Sequence, residues 1–147
     1  MSRLLAIDYG KKRTGIAVSD PLQLIANGLT TVNTARIFDF LQSYFEKEKV
    51  EKVIIGLPRQ MNYEASENLP EIEQLADQLR KLYPHLDVVC FDERFTSKMA
   101  QQTMIDGGLK KKDRRNKALV DEISATIILQ GYMESRIYNT SKPITRL

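Results

Sequence analysis

At 147 residues the chain is sized for one domain, and a hydrophobic fraction of 42% fills one packed core without material for a second. Charged residues make up 28%, and no stretch reaches the apolar length of a membrane span. The first residues run straight into a strand-like segment rather than a signal peptide, so the expected setting is cytoplasmic with no membrane partner. The net charge of +3 is mild, but its distribution is uneven. Cations gather in Lys11-Lys12-Arg13 and between Lys110 and Lys117, while much of the acidic charge lies between Glu46 and Glu73.

In chain order, Leu4 to Ile7 is an apolar run that ends in Asp8, and Ile16-Ala17-Val18 follows a glycine-bounded turn, which reads as a β-hairpin. A third strand is predicted from Leu24 to Val32. Thr34 is placed to cap a helix in which Ile37, Phe38, Leu41, Tyr44 and Phe45 recur at helical spacing. Val53 to Leu57 is apolar throughout, as a central strand covered on both faces would be. Ile72, Leu75, Ala76, Leu79 and Leu82 mark a second amphipathic helix that stops before Pro84, and Asp87 to Phe91 reads as another strand. Cys90, the single cysteine, reads as buried filling of that strand, and His85, the single histidine, as a surface turn residue with no partner for a zinc site.

Thr96 or Ser97 is placed to cap a helix to Ile105, stopped by Gly107-Gly108, and a basic loop follows. Leu119, Ile123, Thr126, Ile127 and Leu129 outline a long final helix from Asn116 to Arg136. This gives a domain over 1–136 and a flexible polar tail over 137–147. The pattern describes an α/β domain with a mixed sheet and helices on both faces. Ligands in such sheets collect beyond the carboxyl ends of the strands, where Asp8 and Asp92-Glu93 lie.

A carboxylate at the end of a buried strand costs several kcal/mol unless a cation or hydrogen-bond donors compensate it. Asp8 meets that demand either through the turn amides of Gly10 to Lys12 or through a functional ligand. Neighbouring strand residues face opposite ways, so one of Asp92 and Glu93 shares a pocket with Asp8, and spacing does not choose between them. Asp121 stands in the first turns of the final helix, where acids are common for their effect on the helix dipole. Gathered in one pocket, three such carboxylates would repel each other, and a divalent ion is the simplest compensation. Oxygen-only ligands favour Mg2+ or Mn2+, whose chemistry suits phosphodiester hydrolysis.

Gly10 to Gly15 has the glycine spacing of a P-loop, but Ile16 and Ala17 occupy the positions of its lysine and hydroxyl, which rejects that motif. The turn fits better as a display of backbone amides and Arg13 toward a phosphate beside Asp8, with a solvated basic turn the alternative. Lys110, Lys111, Lys112, Arg114 and Arg115 form a basic loop just before Asp121, either a solvated run or a sequence-blind contact to backbone phosphates.

Several ordered motifs then resemble one family, the YqgF or RuvX family of pre-16S rRNA nucleases related to RuvC-type Holliday junction resolvases. They are Ala6-Ile7-Asp8-Tyr9-Gly10, Arg13 through Asp20, Gly56-Leu57-Pro58, Asp92 through Ser97, and Val120 through Ala125, and the resemblance spans about Leu4 to Ser135. It implies an RNase H-like (RuvC-like) fold with a five-stranded sheet. It implies Asp8, Glu93 and Asp121 as catalytic, metal-binding acids, with Glu93 taken over Asp92. Lys12, Arg13, Arg94 and the basic loop become substrate contacts, with precursor rRNA the favoured partner and branched DNA the alternative. Two positions depart from the pattern: Ser124 stands where some relatives carry another acid, and the loop from Arg59 to Tyr63 lacks a glycine common there.

Two other readings compete with a nuclease. An actin-like or sugar-kinase-like ATP-binding unit shares the acidic hairpin but closes two domains around its nucleotide, and this chain supplies one. A noncatalytic nucleic-acid binder would keep the fold and the basic loop without cleavage. The sequence fits a monomer or a homodimer.

Overall fold

A computed structural model describes residues 2–57, 63–92 and 117–141. Five strands form one sheet in the order β3-β2-β1-β4-β5, where β1 is Arg3–Asp8, β2 Arg13–Ser19, β3 Ala26–Asn33, β4 Val50–Leu57 and β5 Asp87–Asp92. The first three are antiparallel neighbours, whereas β1, β4 and β5 run parallel. Parallel pairing requires a crossover, and helices supply it: α1 (Ile37–Lys47) joins β3 to β4 and α2 (Tyr63–Leu82) joins β4 to β5. The final helix, α3 (Lys117–Ser141), lies across β2, β3 and β1.

Alternation along the central strands splits the core into two layers. Leu5, Ile7, Ile16, Val18, Val53 and Ile55 face Ile37, Leu41, Ile72, Leu75 and Leu79 of α1 and α2. Leu4, Ala6, Ala17, Ile54 and Phe91 face Ala125, Ile128, Leu129 and Met133 of α3. Helices therefore cover both faces, and the apolar runs of β1 and β4 follow from burial on each side. At the far end of α3 the Lys52 ammonium donates to the Tyr132 hydroxyl at 2.6 Å, and Phe91 meets the Tyr132 ring edge-on.

Several elements depart from the expected bounds for physical reasons. The third strand begins at Ala26, because the Asp20 carboxylate accepts from the amides of Leu22, Leu24 and Ile25 and holds them in a turn. Those amides, Ile25 foremost, together lower the Asp20 pKa against an opposing effect of burial. The cap of the following short 3-10 turn is Asn33, whose side chain accepts from Ala35 N, and Thr34 does other work. Helix α2 starts at Tyr63 and carries Pro70 in its interior.

Helix α3 continues to Ser141, past residue 136 where the tail was expected to begin. With no glycine or proline between Arg136 and Pro143, the helix continues toward the residue before that proline. Cys90 is exposed, contrary to the buried place assigned to it, because β5 is an edge strand. Partial burial still pushes its thiol above the ordinary value, so exposure does not make it a reactive thiolate. His85 is exposed as expected. The helix expected from Thr96 or Ser97 to Ile105 and the basic loop lie outside the described residues. Among the described residues no helix is long and apolar enough to cross a membrane.

Candidate active site

Asp8 is the last residue of β1 and pairs directly with Gly15 of β2. Directly opposed residues of antiparallel strands project to the same face. That face is the one of Leu4, Ala6 and Ala17, which pack against α3. Gly15 is what allows α3 to come close. A Cβ added there would run into the main-chain carbonyl of Asp121, with the Asp121 Cα only 3.2 Å away. One missing side chain thus seats the first turns of α3 directly over the strand pair that ends in Asp8. Gly28 acts similarly further along, where an added Cβ would lie 3.2 Å from Thr126 Oγ1. Thr126 in turn donates to the carbonyl of Glu122 one turn earlier.

Arg13 is two residues before Gly15 on the same face, and its Nε donates to Asp121 Oδ2 at 2.9 Å. The guanidinium is 43% exposed and the carboxylate 24%, so solvent screens the pair and its net contribution to stability is small, on the order of 0.2–1 kcal/mol. Its value is geometric: it fixes which way the Asp121 carboxylate points. Arg13, read from the sequence as a phosphate contact, is thereby joined to one of the expected acids.

The turn that carries Arg13 is anchored from the opposite face. Thr34 donates its hydroxyl to the Gly10 carbonyl at 2.6 Å and its amide to the Lys12 carbonyl at 3.0 Å. Because that hydroxyl proton is committed to Gly10, the fully buried Thr14 donates to Thr34 Oγ1 at 2.8 Å. Sequence reading saw Thr34 as a helix cap. Nothing local reveals the clamp, since its partners lie about twenty residues away in the chain. The turn is also tight at Gly10, where a Cβ would collide with the Arg13 carbonyl.

Tyr9 points to the other face and donates to Glu71 Oε2 of α2 at 2.8 Å. Burial, reinforced by the Glu71 carboxylate, pushes the phenol up to about 12. Lys12 is exposed at the tip of the turn.

The structure therefore brings two of the three expected acids, Asp8 and Asp121, to either side of Gly15. Glu93, Arg94, Lys110, Lys111, Lys112, Arg114 and Arg115 lie outside the described residues. Among the described residues no group of three His, Cys, Asp or Glu side chains could hold a metal ion. Asp8 and Asp121 offer carboxylate oxygens alone, a donor type that fits a hard cation such as Mg2+ or Mn2+, and here the Asp121 carboxylate is held by the Arg13 guanidinium. His85 lies away from them, in a surface groove with Phe38, Phe45 and Tyr83 between α1 and the end of α2.

Comparison with known proteins bears on the family and the fold. The family model described as RuvX: Holliday junction resolvase matches residues 2–135. A protein of Phocaeicola vulgatus that carries the name pre-16S rRNA nuclease is 64% identical over 138 residues, covering 94% of this chain and 99% of its own. Its namesake in Bacteroides thetaiotaomicron is 65% identical over 136 residues, covering 92% and 99%. That of Flavobacterium psychrophilum is 58% identical over 137 residues, covering 93% and 100%. Among solved structures, RuvC of Thermus thermophilus in complex with a Holliday junction substrate superposes with a TM-score of 0.54 at 18% identity, covering 93% of this chain and 96% of that one. At that identity the likeness speaks for the fold alone, which is RNase H-like, with the mixed five-stranded sheet expected from the sequence.

Proposed function

We propose, from the premise that the chain belongs to the RuvX family whose model spans residues 2–135, that it is a metal-dependent endonuclease acting on nucleic-acid phosphodiesters. The substrate we favour is the 5′ end of precursor 16S rRNA, after the name its near relatives carry. The observation that carries the reading is the seat at Gly15, which sets Asp121 over the strand pair ending in Asp8. Two carboxylates from distant segments repel each other; Arg13 offsets part of that at Asp121, and a divalent cation held between the two would offset more and supply the chemistry of hydrolysis.

Asp8 and Asp121, with Glu93, would hold Mg2+ or Mn2+, and the ion when bound lowers the pKa of water and neutralises phosphate charge. The chain's own contribution is positional. The clamp from Thr34 fixes the turn, the turn aims Arg13, and Arg13 orients the Asp121 carboxylate. Glu93 is taken over Asp92 on the family resemblance carried by Asp92 through Ser97. Lys12, Arg94, Lys110, Lys111, Lys112, Arg114 and Arg115 would engage backbone phosphates, in a salt-sensitive and sequence-blind manner. A second reading, cleavage of branched DNA, is favoured by the family's description and shares every residue above.

The test is cleavage of labelled precursor rRNA and of a synthetic four-way junction with magnesium, manganese or chelator. Asp8→Asn should lower metal-dependent cleavage by about 10²–10³-fold or more while leaving binding largely intact. Full metal-dependent activity in that variant would reject the assignment. The substrate that is cut decides between RNA and branched DNA.

A further inference from the structure

On the sheet face opposite Asp8, a cleft of about 330 Å³ opens between α2 and the start of α1. That volume falls at the lower end of the range typical of small-ligand sites, roughly 300–1,000 Å³. Its walls are Tyr9, Thr34, Phe38, Glu71, Gln74 and Gln78, over a floor formed by the buried Ile37 and Leu75. Glu71, Gln74 and Gln78 follow one another at helical spacing, so one face of α2 lines the cleft.

The chemistry of these walls selects the occupant. Among the described residues no lysine or arginine lines the cleft and Glu71 does, which disfavours a phosphate or other anion. The two glutamine amides each offer a donor pair and an acceptor at the rim. Aromatic rings on Tyr9 and Phe38, with the aliphatic floor, suit a flat apolar surface. A neutral planar heterocycle with a hydrogen-bonding edge satisfies all three features. Position makes the same selection. Tyr9 is covalently next to Asp8 but projects to the other face, so the cleft and the carboxylate pair share the carboxyl end of β1. A single strand that passes round that end with a phosphate at the carboxylates would bring a neighbouring nucleotide to the cleft.

We infer that this cleft is a nucleobase subsite that receives one unpaired base flanking the scissile phosphate, with Gln74 and Gln78 contacting its edge. The inference rests on the nuclease reading for the location of that phosphate. Unstacked bases are commonly recognised in this way, by aromatic or apolar contact combined with side-chain hydrogen bonds. A structured duplex has no base to offer, so the subsite would favour single-stranded or frayed substrate.

The experiment uses the full chain and single-stranded RNA oligonucleotides carrying 2-aminopurine, or an abasic nucleotide, at successive positions, bound in chelator so that nothing is cut. One position, or two adjacent ones, should show an emission change on binding, and an abasic nucleotide there should weaken binding by about tenfold. In Gln74→Ala/Gln78→Ala, exposed helix positions where alanine does not threaten the fold, both effects should vanish. Binding of the remaining scan should stay within about threefold of wild type. A separate series with manganese reads cleavage. Cleavage together with a flat scan overturns the subsite alone, and a position-specific scan without cleavage overturns the nuclease reading and the placement beside a scissile phosphate while leaving a base-binding cleft. A position-specific scan unchanged by the double substitution places the base elsewhere and overturns the subsite, and absence of any binding overturns both.

Discussion

Beneath α1 and α2 the sheet presents Leu5, Ile7, Ile16, Val53 and Ile55, all fully buried against further large aliphatic side chains. Beneath α3 it presents Ala6, Gly15, Ala17 and Gly28 beside Leu4 and Ile54, and α3 answers with Ala125 among its larger residues. Bulk on the first face holds the helices at a distance set by interlocking side chains and supplies most of the hydrophobic stabilisation. Smallness on the second brings a helix backbone into contact with the strands, which is what a site built from two main-chain-adjacent acids requires. The difference assigns stability to one face and geometry to the other, and substitutions on each should separate the two.

The largest effect on folding belongs to the first face. Leu79 is fully buried between α2 and the sheet, and Leu79→Ala should cost about 2–5 kcal/mol in urea denaturation. Cleavage per folded molecule should stay within about twofold, since no main chain at the carboxylates has moved. A hundredfold loss in the folded fraction would break the division between the faces.

Gly15→Ala comes next and tests the second face. The added methyl meets main chain rather than a flexible side chain, so α3 must shift, at a cost of about 1–3 kcal/mol. Even a displacement of about 1 Å at a catalytic group can cost on the order of a hundredfold in rate, so activity should fall more steeply than stability. Equal activity in wild type and variant would show that the close approach is packing and nothing more.

The fold was legible in the sequence wherever burial left a period. The apolar runs of β1 and β4, and the helical stripe at Ile72, Leu75 and Leu79, announce themselves because each must be covered. Asp8 was legible because a strand-end carboxylate needs a partner, and Glu93 was chosen through the family resemblance rather than through spacing. What stayed hidden depends on which segments become neighbours. Gly15 reads locally as a turn glycine, and only the path of α3 shows it to be the seat of Asp121. Cys90 reads as core because strand order, which puts β5 at the edge, leaves no local mark. Thr34 has the composition of a cap, while its partners Gly10, Lys12 and Thr14 are brought to it by the β2–β3 hairpin.

Thr34 links the two faces, because it lies on the α1 side and fixes a turn whose Arg13 reaches the α3 side. Thr34→Val keeps the shape but removes the hydroxyl that serves Gly10 and Thr14, with an expected loss of about 1 kcal/mol. If the clamp positions Arg13, kcat should fall with KM little changed, and amide exchange at Gly10 to Arg13 should quicken. Thr34→Ser, which retains the hydroxyl, should restore both. A variant that loses stability while keeping kcat would make Thr34 a packing residue of the first face only.

The smallest effect is a titration. Burial and the Glu71 carboxylate raise the Tyr9 phenol to about 12, so the native state holds this proton more tightly than the unfolded chain, whose phenol ionises near 10. Unfolding in that window releases a proton, and stability must therefore be complete below about pH 10 and decline as pH rises through about 12. Spectrophotometric titration should show one tyrosine ionising near 12, absent in Tyr9→Phe. The variant should also lose less stability than wild type between about pH 9 and about pH 11, after allowance for the other tyrosines. Because Tyr9 turns away from Asp8 and Tyr9→Phe keeps the ring that walls the cleft, the Arg13–Asp121 pair should stay in place, and metal-dependent cleavage at neutral pH checks that the lost hydroxyl alone accounts for the change.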